Sequence, residues 1–105
     1  METGAGQLDR LVRCIVEAVH PLRIILFGSA ARGEPGPDSD LDLLVVMPDG
    51  THRRHTAQHL YGAIKGVTVP FDVIVATPTD LEKHANNPGL IYQTILREGR
   101  TVYAA

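Results

Sequence analysis

Three aspartates lie in two apolar segments at the centre of the chain. Their spacing is typical of carboxylates that bind a metal ion and act on phosphate groups. Asp40 and Asp42 open the segment DLDLLVVM. On a strand, side chains two residues apart project from one face about 7 Å apart. Two carboxylates at that separation repel each other, and a divalent cation such as Mg²⁺, which prefers carboxylate oxygens, relieves the repulsion. The simpler alternative is a pair of exposed acids at the beginning of a strand.

Asp72 strengthens the metal interpretation because it lies inside the apolar segment VPFDVIV. Alternation places Asp72 and Ile74 on one face and the apolar set on the other, namely Val69, Phe71, Val73 and Val75. A lone acid in an apolar strand is rarely structural unless it is paired. Three acids from two strands would suit two Mg²⁺ ions, which activate an attacking oxygen and stabilise the leaving one. The third acid could also accept a proton from an attacking hydroxyl.

Gly28 and Ser29 directly follow the apolar run RIILF and begin a loop rich in glycine and proline. A glycine at this point lets the backbone approach a ligand closely, and the serine hydroxyl with neighbouring N–H groups can hold a phosphate. A Gly-Ser pair after a strand is common, so by itself it is not specific.

Hydrophobic periodicity predicts the elements that must position these residues. The predicted strands span 23–27, 40–47, 67–76 and 101–103, and the predicted helices span 8–19, 51–65, 81–87 and 89–98. Pro70 indicates an edge strand or an irregular strand start, and Thr79-Asp80 is the predicted cap of the third helix. The inner face of the second helix is predicted to comprise Ala57, Leu60, Tyr61 and Ile64. The expected fold class is α/β (α+β): one mixed sheet of about four strands with helices packed against it.

Length and composition limit the possible classes of protein. The 105 residues predict a single domain over 1–105, and 44% hydrophobic with 21% charged residues exclude a disordered or fibrous chain. No apolar run is long enough to span a membrane and no signal peptide is visible, so a cytoplasmic location is expected. A net charge of −2 argues against direct binding to DNA. The single cysteine, Cys14, excludes an internal disulfide and is interpreted as a packing residue.

Histidines in the predicted second helix offer a separate hypothesis. His52, His55 and His59 share a helix face at a spacing that could bind a transition metal. The neighbouring Arg53 and Arg54 favour a solvated segment instead. A third interpretation is a small basic patch for an acidic partner or a nucleotide.

The chain resembles a known family along residues 28–45. GSAARG, five residues, and then SDLDLLV closely match the signature of minimal nucleotidyltransferases of the DNA polymerase β-like superfamily, with Asp72 as the third carboxylate. The resemblance implies the polymerase β-like nucleotidyltransferase fold. It implies that Asp40 and Asp42 bind two Mg²⁺ ions and that Asp72 completes the site and helps to deprotonate the acceptor. It also implies that Gly28 and Ser29 contact the terminal phosphates of the nucleotide.

Arg32 and Ser39 also match this signature. Arg32 could offset charge on the triphosphate or the acceptor, or it could bond to backbone within the loop. Ser39 is expected to shape the entry into the strand more than to touch the substrate.

Domains resembling this one often accompany small helical HEPN proteins in toxin–antitoxin pairs. The resemblance therefore implies a Mg²⁺-dependent enzyme that transfers AMP from ATP to a tyrosine hydroxyl of a HEPN toxin and so acts as its antitoxin. The short chain agrees with an acceptor supplied by a partner, in a hetero-oligomer. Two alternatives stay open: a non-catalytic module that neutralises the toxin by contact, and transfer to a small molecule such as an aminoglycoside. The second needs an acceptor pocket, which a homodimer could supply.

Overall fold

The computed structural model describes residues 4–28, 31, 40–84 and 91–105. In order along the chain these form α1 (Gly4–Val19), β1 (Arg23–Phe27), β2 (Leu41–Val46), α2 (Arg53–Ala63), β3 (Phe71–Ala76), α3 (Pro78–His84), α4 (Ile91–Glu98) and β4 (Arg100–Ala104). The predicted element order and the predicted α+β class with a mixed four-stranded sheet are both confirmed. Within the described part of the chain, no helix is long and apolar enough to cross a membrane.

The four strands lie in the order β3-β2-β1-β4, so β3 and β4 form the two edges. β1 runs antiparallel to both β2 and β4, whereas β2 and β3 are parallel. A parallel pair needs a crossover connection, and α2 provides it. The crossover brings the beginnings of β2 and β3 to the same end of the sheet.

Helices cover both faces of the sheet. On one face, Leu43 and Val45 of β2 pack with Leu11 and Ile15 of α1 and with Leu60 of α2. On the other face, β2 and its neighbours pack against α4 in a smaller cluster comprising Ile25, Leu44, Val46, Ala76 and Ile95. Because β2 is buried on both faces, it reads as a continuous apolar run after Asp42.

β3 begins at Phe71, four residues later than the predicted strand start at 67. Pro70 has no N–H to contribute to a ladder, although its carbonyl still accepts a hydrogen bond from the N–H of Leu41 at 3.0 Å. The prediction that this segment is an edge strand is confirmed, because β3 forms one edge of the sheet.

The helix boundaries differ from the predicted ones for local reasons. α1 begins before residue 8, and α2 is shorter than the predicted span 51–65. His52 lies outside α2 as its N-cap, where its Nδ1 accepts a hydrogen bond from the N–H of His55 at 3.2 Å. α3 is capped by Thr77 and not by Thr79-Asp80: the Asp80 N–H donates to Thr77 Oγ1 at 3.2 Å, and the Thr77 N–H donates to Asp80 Oδ2 at 3.0 Å. This reciprocal pair is a capping box followed by proline at the first helical position.

Candidate active site

The register between β2 and β3 sets Asp42 directly beside Asp72. On its other side Asp42 faces Phe27, the last residue of β1. Neighbouring strands lie about 4.8 Å apart, and residues in register on parallel strands point to the same face. Two carboxylates therefore project together from one end of the sheet, on the face that also packs against α4. The predicted alternation of Asp72 and Ile74 against Val73 and Val75 is confirmed.

Asp40 lies one residue before β2, where it is exposed and two residues from Asp42. Asp42 itself is half-buried, whereas Asp72 is exposed at the edge of the sheet. Burial, and then the negative charges of Asp40 and Asp72, raise the pKa of the Asp42 carboxyl above its usual value. Asp40 and Asp72 thus lie close enough to Asp42 for their charges to repel its carboxylate.

The chemistry of these donors suits a divalent cation. A cation would offset both the burial and the repulsion that raise the pKa of Asp42. Three carboxylates are a hard oxygen set of the kind that Mg²⁺ accepts. Among the residues described, however, no three acidic, histidine or cysteine side chains lie close enough together to hold a metal ion as they stand. Asp42 and Asp72 share one face of the sheet and Asp40 immediately precedes β2, so a bound ion would have to draw the three carboxylates closer.

Gly28 directly follows β1 and lies beside Asp42. Its φ is +79°, a conformation that favours glycine, and a Cβ at this position would lie 2.5 Å from Asp42 Oδ2. The carbonyl of Gly28 accepts a hydrogen bond from the Ala31 N–H at 3.2 Å. The backbone at Gly28 thus lies close to Asp42, and the predicted contact of Gly28 with a phosphate stays a prediction. The other predicted nucleotide-binding residues, Ser29, Arg32 and Ser39, lie outside the described residues.

Tyr61 of α2 also belongs to this end of the sheet. Its hydroxyl donates to Asp72 Oδ1 at 2.7 Å and accepts from the Val73 N–H at 3.0 Å. Its ring stacks on Phe71, with the ring centroids 5.7 Å apart. Partial burial, followed by the hydrogen bond to Asp72, raises the pKa of Tyr61, which keeps the hydroxyl protonated as a donor.

The prediction that Tyr61 faces the core is wrong, because 45% of the residue is exposed. The other predicted members of that inner face do pack inward, with Leu60 and Ile64 buried and Ala57 packed against the core. Tyr61 lies at the margin of the apolar stripe and reaches past the edge strand. The signal available in the sequence was its polar hydroxyl, which a core position would have to satisfy.

The histidine-rich segment lies at the opposite end of the sheet from the acids. α2 begins after β2 has ended, whereas Asp42 lies near the beginning of β2. His52 and His55 stack with their ring centroids 3.8 Å apart, and both are exposed. Arg53 forms an ion pair with Asp80 at 3.4 Å. His52, His55 and His59 all lie in the described part of the chain, where no three such side chains are placed to hold a metal ion, so the predicted transition-metal site is not formed. The hypothesis of a basic patch stays a prediction, separate from the acidic site.

Comparisons with known proteins agree with this geometry. The sequence profile of the nucleotidyltransferase domain matches residues 8–101. Among solved structures, a toxin–antitoxin complex with AMP-PNP has a TM-score of 0.61 at 20% identity, covering 92% of this chain and 73% of that chain. A mutant of the toxin–antitoxin MntA-HpeT has a TM-score of 0.57 at 18% identity, covering 92% and 72%.

A structure assigned as a minimal nucleotidyltransferase has a TM-score of 0.51 at 28% identity, covering 91% of this chain and 88% of that chain. Among curated proteins, no sequence matches significantly. The profile match extends over most of the chain and includes β1, β2 and β3 with all three acids. The chain therefore belongs to the nucleotidyltransferase domain family.

Proposed function

We propose that this nucleotidyltransferase is a Mg²⁺-dependent adenylyltransferase that attaches AMP from ATP to a hydroxyl of a partner toxin and thereby acts as its antitoxin. The observation that carries the proposal is the alignment of Asp42 with Asp72, with Asp40 close enough to add its charge. Such a cluster is costly without a cation, and it matches the donor set that phosphoryl transfer requires.

In this proposal each acid has a distinct task. Asp40 and Asp42 hold Mg²⁺, and Asp72 completes the set from the neighbouring strand. Bound Mg²⁺ supplies charge stabilisation for the triphosphate and the departing pyrophosphate. As the acceptor oxygen bonds to the α-phosphorus, Asp72 takes its proton, the bond from that phosphorus to the bridging oxygen breaks, and pyrophosphate leaves.

The glycine loop completes the proposed nucleotide site. Gly28 keeps the end of β1 free of a side chain beside Asp42, which leaves room for phosphate next to the acids. We assign the terminal phosphates to Gly28 and Ser29, charge compensation to Arg32, and shaping of the loop to Ser39. Because the paired strands hold Asp42 beside Asp72, we assign the protein mainly a positioning role, with no covalent enzyme intermediate.

The structural neighbours support a nucleotide and a toxin partner. One neighbouring complex contains AMP-PNP, a nucleotide analogue, and both neighbouring complexes are toxin–antitoxin assemblies. The MntA-HpeT mutant carries two Asp-to-Glu changes two positions apart, the same spacing as Asp40 and Asp42. The proposal of a HEPN protein as the partner, with one of its hydroxyls as the acceptor, comes from the resemblance of the loop signature to minimal nucleotidyltransferases that accompany HEPN proteins.

The proposal is tested by the intact mass of the purified HEPN partner after incubation with ATP, Mg²⁺ and this protein. We expect the partner to gain one or more AMP units with the wild type and none with Asp42→Asn. Asp9→Asn, an exposed acid on α1, is the matched control and should support normal transfer. A tight complex whose partner keeps its original mass would contradict the proposal and indicate an antitoxin that works by contact alone.

A further inference from the structure

We propose that Tyr61 is a positioning residue that fixes the Asp72 carboxylate for metal binding and proton transfer. This inference rests on the proposed function, because it assigns a role to a side chain that acts through Asp72. It concerns a residue on α2, an element that contributes none of the three acids.

Asp72 needs an external support because of its place in the sheet. It is the second residue of an edge strand and it is exposed. Packing therefore does little to restrict its side-chain rotamers, whereas the half-buried Asp42 lies between two strands. A carboxylate that must bind a cation and accept a proton has to keep one orientation, since small misplacements of reacting groups are costly.

Tyr61 provides that support through two directed hydrogen bonds. The Val73 N–H can only donate, so the phenolic oxygen accepts at this contact and gives its own proton to Asp72 Oδ1. The free side of an edge strand leaves such an N–H available to a side chain. The hydroxyl is thus fixed to the backbone one residue after Asp72 and holds one carboxylate oxygen. The second oxygen is left for a cation or for the proton of the acceptor.

The ring of Tyr61 contacts the residue on the N-terminal side of Asp72. It stacks on Phe71, the residue immediately before Asp72, at an interplanar angle of 16°. Contacts with both sequence neighbours of Asp72 therefore set the ring and the hydroxyl in one place. Filling of the core does not explain this arrangement, because the residue is 45% exposed and the specific contacts are made by the hydroxyl.

The test compares Tyr61→Phe with Tyr103→Phe. The first variant keeps the aromatic stack but removes the hydroxyl beside Asp72, and the second removes a hydroxyl from β4 at the opposite edge of the sheet. Mg²⁺ affinity is measured by following the backbone amide signals of residues 72 and 73 in an NMR titration. The kcat and the KM for ATP are measured from AMP transfer to the partner.

We expect Tyr61→Phe to weaken Mg²⁺ binding and lower kcat, each by roughly 10–100-fold, the usual effect of losing a group that orients a metal ligand. The KM for ATP and the dispersion of the amide spectrum should change little, and Tyr103→Phe should behave as the wild type. A purely structural role would lower the melting temperature without moving the Mg²⁺ affinity of the folded protein.

The outcomes separate this inference from the proposed function. If the wild type binds Mg²⁺ and only Tyr61→Phe weakens that binding, the positioning role stands even where no AMP is transferred. If Tyr61→Phe keeps the wild-type Mg²⁺ affinity and kcat, the inference is overturned while AMP transfer by the wild type still supports the proposed function. A wild type that binds no Mg²⁺ would overturn both.

Discussion

Replacing Gly28 by alanine perturbs the acidic site without substituting any of its three aspartates. The added Cβ would lie 2.5 Å from Asp42 Oδ2, and ordinary van der Waals contact begins at 3.4 Å. The carboxylate must therefore retreat from 2.5 to 3.4 Å, a move of about 0.9 Å, and a misplacement of roughly 1 Å can lower the rate of an aligned reaction about 100-fold. Alanine at a φ of +79° also costs about 1–2 kcal/mol of folding free energy.

Gly50→Ala is the matched control for this change. Gly50 has a φ of +92° and nothing lies within 4 Å of its added Cβ, so it carries the backbone cost without the contact. Both variants should lose about 1–2 kcal/mol, which for a domain of this size lowers the melting temperature by roughly 4–16 °C. Only Gly28→Ala should also lose about 100-fold in AMP transfer, measured at a temperature where all three proteins are folded.

A Gly28→Ala variant that is destabilised like Gly50→Ala but transfers AMP within a few-fold of the wild-type rate would be inconsistent with this prediction. In that case the position of the Asp42 carboxylate beside β1 would not matter for the reaction. Equal loss of activity in both variants would also contradict it, because the effect would then follow stability alone.

Two further predictions concern stability. The folded-state pKa of Asp42 is raised, so the stability linked to this group is present at acid pH, below its unfolded pKa, and is lost as the pH rises through the folded pKa. Asp42→Asn should therefore raise the melting temperature at pH 7 without Mg²⁺ and have little effect near pH 3. Added Mg²⁺ should stabilise the wild type more than the variant. A variant that is less stable than the wild type at pH 7 would contradict burial and charge repulsion as the causes of the raised pKa. Thr77→Ala removes the N-cap of α3 and should cost about 0.5–2 kcal/mol in urea unfolding. AMP transfer should be unaffected, since the cap lies at the end of β3 remote from Asp72; a large loss of transfer would place α3 in the reaction.

The sequence carries most of the information that creates the site. The apolar run of β2 and the two-residue alternation of β3 correctly put Asp42 and Asp72 on strands and assign the faces of β3. The register that sets these two acids side by side is a property of the sheet. It depends on the crossover through α2 and on packing between distant segments, which local periodicity does not encode.

Tyr61 shows where periodicity fails in physical terms. Its spacing places it on the same helical stripe as Leu60 and Ile64, which are buried. Only part of the apolar stripe of α2 packs against the core beside the edge strand β3. Tyr61 lies at the margin of that stripe and is therefore exposed. Its hydrogen-bonding partner lies eleven residues later in the chain and is brought near only by the parallel arrangement of β2 and β3.

Nucleotidyl transfer at the site of the three carboxylates can be measured by following label from ATP to the purified partner. With ATP labelled at the α-phosphate, the partner should become labelled in the presence of Mg²⁺, and one pyrophosphate should be released for each AMP attached. With ATP labelled at the γ-phosphate, the partner should stay unlabelled, and Asp42→Asn should give no label from either. Label transferred from the γ-phosphate would show that the reaction is not AMP transfer, and wild-type labelling by Asp42→Asn would show that the acidic site does not carry it out.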